Sequence, residues 1–140
     1  MDLAWWRQYG REAKAAFRGQ LHTTCAAASD EIGISRPLQV NGGTMPAHGN
    51  SGAGAMMLAY YAGARRVIML GYDCQHTGGA KHWHGDHPPR LGNANRPEMW
   101  ERGFAKVAHD LADIEIMNAS RITALTCFPR MSLEDALCIP

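Results

Sequence analysis

The sequence predicts a three-layer α/β domain with a mostly parallel sheet. Helical segments alternate with short apolar strands along most of the chain, a pattern typical of sheets whose strands are joined by helices. The continuous apolar run at residues 67–70 has the composition of a central strand covered on both faces. The length of 140 residues corresponds to one domain, so we expect a single domain over residues 1–140.

The first forty residues predict one helix and two short strands. Residues 3–17 predict a helix, because apolar side chains can share one face and Gly19 follows the end. Residues 21–25 predict a strand, residues 30–37 a loop, and residues 38–40 a second short strand.

The middle of the chain predicts a polar turn, a buried helix and the apolar strand. Residues 53–64 are apolar nearly all round, which favours a buried helix that ends at Gly63. The strand at 67–70 follows. Residues 72–96 then lose all periodicity and hold four of the seven histidines, which is typical of a functional loop.

The last third predicts a helix at 97–113, a strand at 114–117 and a short helix that begins near Ser132. In a parallel sheet, the loop after Leu70 and the turn after Met117 lie at the same edge. We therefore expect Asp73, the histidines of the loop, Asn118 and Ser120 to be presented together at the carboxyl ends of the strands.

The composition excludes several classes of function. The net charge of +1 offers no electrostatic case for nucleic acid or an anionic membrane as a partner. The sequence has no apolar run of spanning length and no signal-peptide pattern, and its four cysteines form no CxxC pair. We expect a cytoplasmic protein with free thiols. An incomplete parallel sheet would expose an edge strand, which favours a homo-oligomer.

Two short stretches are candidate ligand sites. Asn50, Ser51 and Gly52 precede a helix, where small residues and free N–H groups can hold a phosphate or carboxylate. Their spacing matches neither a P-loop nor a dinucleotide fingerprint, and the alternative is a capped helix that packs closely. Asp73 follows the apolar strand, where a carboxylate can accept a sugar hydroxyl, hold a metal or cap a loop.

The histidine loop has three interpretations. His82, His84, Asp86 and His87 follow the HxHxDH pattern of metallo-β-lactamase-like hydrolases, in which they would bind a divalent metal and activate water. Against that family, eight residues separate Asp73 from His82, and only one histidine remains downstream. Alternatively, a histidine accepts a proton from a ligand, with Trp83 on the ligand face, or the loop side chains satisfy one another.

One segment resembles two related families. It combines a Ser-Gly turn, a buried helix closed by glycine, a strand that ends in G-x-D and a later Asn-x-Ser: Asn50-Ser51-Gly52, Leu58-Ala59, Gly63-Ala64, Val67-Ile68-x-Leu70-Gly71-Tyr72-Asp73 and Asn118-x-Ser120. This combination resembles bacterial sialyltransferases that use CMP-sialic acid and the motility-associated-factor proteins of flagellin glycosylation. The histidine loop is similar to that of small phage-encoded proteins with the same core.

The resemblance implies a Rossmann-like nucleotide-binding sheet. It implies that Asn50, Ser51 and Gly52 lie near a phosphate or sugar acid, and that Asp73 lies near a ribose. The families open with a strand and a glycine-rich nucleotide loop. This chain begins at Trp5-Trp6 without them, which implies a truncated phage-encoded relative or one that has lost the transferase reaction.

The functional prediction is a domain that binds a nucleotide or nucleotide-sugar, with glycosyl transfer as its reaction if it is active. His84 and His87 are then the candidates for the catalytic proton acceptor. Asn50, Ser51, Gly52, Asp73, Trp83, Asn118 and Ser120 are the predicted ligand contacts. The alternatives are a metal-dependent hydrolase that uses the HxHxDH loop and an inactive phage accessory or binding protein.

Overall fold

The computed structural model describes residues 3–34 and 39–138, and the chain divides into two compact units. One unit comprises Met1–Pro46 with His87–Gly92, and the other comprises Ala47–Asp86 with Asn93–Pro140. The described residues form five α-helices and two small sheets, one antiparallel and one parallel. In chain order the elements are α1 (Leu3–Ala16), α2 (Ala26–Ile32), β1 (Gln39–Val40), β2 (Gly43–Thr44), α3 (Ser51–Tyr61), β3 (Arg66–Met69), α4 (Glu98–Asp110), β4 (Glu115–Asn118) and α5 (Leu133–Cys138).

Helices α1 and α2 of the first unit pack closely, because Gly10 of α1 lacks a side chain where the helices approach. A Cβ built on Gly10 would lie 3.2 Å from Cγ1 of Ile32. The guanidinium of Arg7 holds the carboxylate of Glu31 through two hydrogen bonds of 2.7 and 2.9 Å. The two helices are therefore joined by both apolar packing and an ion pair.

Strands β1 and β2 form a hairpin. Asn41 and Gly42 connect them with φ angles of 50° and 78°, a conformation that a tight two-residue turn requires and that Asn-Gly adopts readily. The predicted strand at 38–40 is confirmed at Gln39–Val40, and Leu38 lies outside the described residues.

Two predictions in the first unit differ from the described structure. Of the predicted strand at 21–25, the described structure shows a β-bridge at His22, and the hydroxyl of Thr23 accepts a hydrogen bond from the Cys25 N–H at 3.1 Å. Such local bonds compete with strand pairing. The predicted loop at 30–37 begins inside α2, because alanines open this helix and Gly33, at φ 67°, ends it, and residues 35–37 lie outside the described residues.

The second unit contains the parallel sheet. β3 pairs with β4 from Arg66–Glu115 to Met69–Asn118, and the connection between them carries α4, which makes a βαβ unit. A parallel bridge from Asn118 to Arg130 continues the sheet beyond β4. The predicted helices and strands of this unit are confirmed to within three residues at each end. The described parallel sheet has two strands, so the observed fold is a mixture of helices and small sheets, and the three-layer arrangement stays a prediction.

The core of the second unit lies between α3, α4 and the two strands. Ala53 and Val107 are fully buried, and the side chain of Phe104 is 2% exposed. Methionines fill much of the remaining space, which suits an irregular core because their side chains are flexible: Met56, Met57, Met69 and Met117. None of the described helices is long and apolar enough to cross a membrane.

Glycines allow α4 to approach the chain before α3. A Cβ built on Gly103 would collide with the carbonyl oxygen of His48, which is backbone and cannot rotate away. On the same side, a Cβ on Gly52 would lie 2.8 Å from Cε1 of Tyr72. Any side chain at Gly103 must therefore push the helix away from the turn at residues 48–50.

We predict that Gly103→Ala destabilises the protein by about 1–3 kcal/mol, the usual cost of overpacking. Alanine in a helix is favoured over glycine by about 1 kcal/mol, so helix propensity alone predicts the opposite sign. The free energy of unfolding, measured by urea denaturation, distinguishes the two.

The matched control is Ala105→Gly, at an exposed position of the same helix, which should cost about 1 kcal/mol through propensity. Destabilisation by both variants supports the close approach at Gly103. A gain of stability in Gly103→Ala would contradict it.

Candidate functional site

A cleft of about 910 Å³ lies in the second unit, beside the loops that follow the carboxyl ends of β3 and β4. We call it the strand-end cleft. Its polar lining includes Asp73, Thr77, Ser120, Arg121 and Arg130. Ligands of open α/β sheets bind at this edge, so the cleft is the candidate functional site.

A set of buried and half-buried hydrogen bonds joins the loop after β3 to the loop after β4. The Ser120 hydroxyl accepts the Tyr72 N–H at 2.8 Å, and the Thr123 hydroxyl donates to the Tyr72 carbonyl at 2.6 Å. Asn118 accepts the Ser120 N–H at 3.0 Å and donates to the Thr123 hydroxyl at 3.2 Å. We call these four residues the loop-bridging network.

The predicted ligand contacts Asn118 and Ser120 belong to this network. The structure brings both to the predicted edge, where they are 0% and 4% exposed. Ser120 also lines the strand-end cleft, but the hydrogen bonds described for both side chains go to other protein groups. Their contact with a ligand stays a prediction.

Asp73 directly follows Tyr72 of the loop-bridging network in the chain. Its Oδ2 accepts a hydrogen bond of 2.7 Å from the hydroxyl of Thr77, and its backbone carbonyl accepts the Ala124 N–H at 2.8 Å. The residue is half-buried and lines the strand-end cleft. The hydrogen bond from Thr77 matches the predicted role of capping a loop, and the contact of Asp73 with a sugar hydroxyl or a metal stays a prediction.

Arg121 and Arg130 also line the cleft, although no pattern in the sequence marks them as ligand contacts. One terminal nitrogen of Arg130, Nη2, donates to the carbonyls of Ser120 at 3.2 Å and Arg121 at 3.0 Å. Arg130 reaches this position because its backbone bridges to Asn118. No motif marks this bridge, since a single parallel bridge has no periodicity in the sequence.

The predicted phosphate contacts Asn50, Ser51 and Gly52 lie at the start of α3. Oδ1 of Asn50 accepts the Ala53 N–H at 2.7 Å and so caps the helix. Gly52 packs against the ring of Tyr72. These contacts match the alternative of a capped, closely packed helix, and none of the three residues is among the described lining of the strand-end cleft.

The histidine loop presents an aromatic cluster. The rings of His82 and His84 stack with centroids 5.1 Å apart, and Trp83, which is 96% exposed, lies edge-on to His84 at 5.4 Å. The Ala94 N–H donates to Nε2 of His82 at 3.2 Å, so this nitrogen carries the lone pair. No residue of this cluster is among the described lining of the strand-end cleft.

His87 belongs to the first unit, whereas Asp86 is an exposed residue of the second. Nδ1 of His87 lies 2.9 Å from the carbonyl oxygen of Gly92 and therefore donates to it. In the neutral ring the lone pair then lies on Nε2, the form required of a proton acceptor or a metal ligand. The catalytic roles predicted for His84 and His87 stay predictions.

Burial weakens the acidity of the groups around Tyr72. Desolvation raises the pKa of the Tyr72 hydroxyl, and it raises the pKa of the Cys74 thiol to about 11. Cys127 has a raised pKa for the same main reason. These two thiols are therefore protonated near pH 7, and all four cysteines are free.

We predict that Thr123→Val destabilises the protein by about 1–3 kcal/mol, because the substitution keeps the shape of the side chain but removes its hydroxyl. Buried partners on Tyr72, Asn118 and Leu125 would then lose a hydrogen bond. Thr123→Ser keeps the hydroxyl and should cost about 0.8 kcal/mol for the lost methyl group. Equal losses in chemical denaturation of the two variants would contradict this account of the network.

No family model, curated protein or solved structure matches the chain significantly. The geometry and chemistry of the described residues therefore carry the functional proposals.

Proposed function

We propose that the protein binds a nucleotide or nucleotide-sugar in the strand-end cleft. The observation that carries this proposal is the position of the cleft, at the carboxyl ends of a parallel strand pair with Asp73 in its lining. Its volume of about 910 Å³ lies within the roughly 300–1,000 Å³ of ligand pockets.

The lining has the mixed chemistry that a nucleotide requires. Leu70, Ile122 and Leu133 are 56%, 50% and 36% exposed and line the same cleft, where they can cover the apolar faces of a base. Asp73 can accept hydrogen bonds from ribose hydroxyls, because a carboxylate offers more acceptor positions than the Thr77 hydroxyl occupies. The apolar residues and the carboxylate together favour a nucleoside-containing ligand.

The proposal includes a Rossmann-like sheet related to that of the glycosyltransferases. The β3–α4–β4 unit supports it, as does the resemblance of residues 50–73 and 118–120 to the sialyltransferase and flagellin-glycosylation families. A homo-oligomer that pairs an open strand edge belongs to the same proposal.

Glycosyl transfer would need more than binding. The acceptor oxygen would bond to the anomeric carbon, the bond from that carbon to the phosphate oxygen would break, and a base would take the acceptor's proton. The described lining of the cleft contains no histidine. We therefore propose binding as the function, with transfer as a separate hypothesis.

A nucleotide screen tests the binding proposal. We expect CMP, UMP, AMP or GMP to raise the melting temperature, since a ligand at 100 times its Kd adds about 2.7 kcal/mol of stability. Asp73→Asn should weaken binding by about tenfold or more, because it removes a charged acceptor. Asp86→Asn, an exposed carboxylate outside the described lining, is the matched control.

Stabilisation by no nucleotide would overturn the binding proposal, and equal weakening by Asp73→Asn and Asp86→Asn would place the ligand elsewhere. Binding without any transfer to sugar acceptors would favour the inactive accessory protein.

A second candidate is metal-dependent hydrolysis at the histidine loop. The observation that favours it is the stacking of His82 and His84, which places two imidazole rings, each with nitrogen atoms that can bind a metal, side by side. A metal on Nε2 of His82 would replace its hydrogen bond from Ala94. The chemistry that the metal would supply is activation of a bound water.

Elemental analysis of protein purified without a histidine tag tests this candidate. We expect near-stoichiometric zinc, manganese or iron, and its loss from the double variant His82→Ala, His84→Ala. His109→Ala, an exposed histidine on α4, is the control and should keep the metal. A metal-free protein, or equal metal in all variants, would remove the hydrolase candidate.

A further inference from the structure

We propose that Arg130, assisted by Arg121, holds the phosphate of the ligand in the strand-end cleft, so that the site prefers nucleotides to nucleosides. This inference deepens the proposed function and rests on it. It also moves the phosphate away from the start of α3, where the family resemblance puts it.

Arg130 is held in place before any ligand binds. Its Nη2 donates to the carbonyls of Ser120 and Arg121, which lie in the loop directly after β4. Its backbone is fixed as well, because the Asn118 N–H donates to the Pro129 carbonyl at 2.8 Å and the Met131 N–H donates to the Asn118 carbonyl at 3.4 Å. Both the side chain and the backbone of Arg130 are therefore attached to β4 and its loop.

The remaining donors of Arg130 suit an oxyanion. A guanidinium carries five N–H groups in one plane. In Arg130, Nη2 is the nitrogen that donates to carbonyls. Within the described chain, its Nε and Nη1 have no hydrogen-bond partner. Both forks of a guanidinium include Nη2, which donates to the two carbonyls here, so Nε and Nη1 offer a phosphate single hydrogen bonds together with the positive charge. Arg121 adds a second positive charge to the same lining.

The start of α3 is less suited to hold the phosphate. The Ala53 N–H is already bonded to the Asn50 side chain, and the Gly54 N–H is bonded to the Asn50 carbonyl at 3.1 Å. A Cβ built on Gly52 would lie 2.8 Å from the Tyr72 ring. The Tyr72 ring therefore leaves no room for a phosphate on this side of Gly52.

The charges of the cleft also indicate where the ribose and the phosphate of a nucleotide would bind. Asp73 and Glu134 are the acidic members of the described lining, and Arg121 and Arg130 are the basic ones. A phosphate is repelled by the carboxylates and attracted by the arginines, whereas ribose hydroxyls can donate to Asp73. We therefore expect the ribose at Asp73 and the phosphate at the arginines.

Isothermal titration of the full chain with CMP and cytidine tests the inference; another nucleotide and its nucleoside replace them if the screen selects another base. We expect the wild type to bind the nucleotide at least tenfold more tightly than the nucleoside. Arg130→Gln should abolish this preference while it leaves nucleoside affinity within about twofold, since the charge and the N–H groups of Arg130 act on the phosphate, which the nucleoside lacks. Arg121→Gln should reduce the preference in part.

Arg102→Gln, an exposed arginine of α4 outside the described lining, is the control and should keep the full preference. Arg130→Lys keeps the charge but not the planar set of N–H groups, so it should retain only part of the preference and provides a readout if Arg130→Gln unfolds. Loss of the preference in Ser51→Ala instead would overturn the inference in favour of the helix start.

The outcomes separate this inference from the proposed function. If the wild type binds nucleoside and nucleotide equally and Arg130→Gln changes neither, the inference fails and nucleoside binding stands. If Arg130→Gln weakens both ligands equally, Arg130 supports the loop and does not hold the phosphate. If neither ligand binds the wild type, the proposed function fails and this inference fails with it.

Discussion

The second unit depends on how two loops satisfy their buried polar groups at the end of a parallel strand pair. Tyr72 lies in the loop after β3, where its backbone N–H and carbonyl have no strand partner. The Ser120 hydroxyl accepts from this N–H, and the Thr123 hydroxyl donates to this carbonyl. Buried backbone groups without partners are costly, so this arrangement of the two loops is strongly favoured. The loop-bridging network therefore sets the shape of the strand-end cleft.

Tyr72 connects this network to the helices. Its backbone belongs to the network, and its ring packs edge-on against Phe104 of α4 with centroids 5.6 Å apart. The same ring closes over Gly52 at the start of α3. The Tyr72 side chain therefore contacts both α3 and α4. Because Asp73 is the next residue in the chain, the same contacts help to position the carboxylate of the cleft.

The cleft and the histidine loop are two separate chemical hypotheses. The cleft offers a carboxylate, two arginines and an apolar rim, which together suit a phosphorylated nucleoside. The histidine loop offers stacked imidazoles and an exposed tryptophan. No histidine belongs to the described lining of the cleft, so nucleotide binding and metal binding are tested by different substitutions.

Local patterns were sufficient to predict most elements of the second unit. The apolar run of β3 and the amphipathic stripe of α4 are strong short-range signals, and Gly63 and Pro97 mark helix ends. The same signals were less successful at 21–25, where the described structure shows a β-bridge at His22 and a local hydrogen bond from the Cys25 N–H to the Thr23 hydroxyl.

The sequence by itself also determined which polar residues would meet at one edge of the sheet, because the carboxyl ends of parallel strands share that edge. Asp73 and Ser120 do meet there. Only the tertiary structure decided what these residues do: Ser120 completes a buried network, and Gly52 packs under an aromatic ring. Arg130 enters the cleft through a single bridge to Asn118. Hydrogen-bond partners and close packing depend on residues far apart in the chain, and no local pattern encodes them.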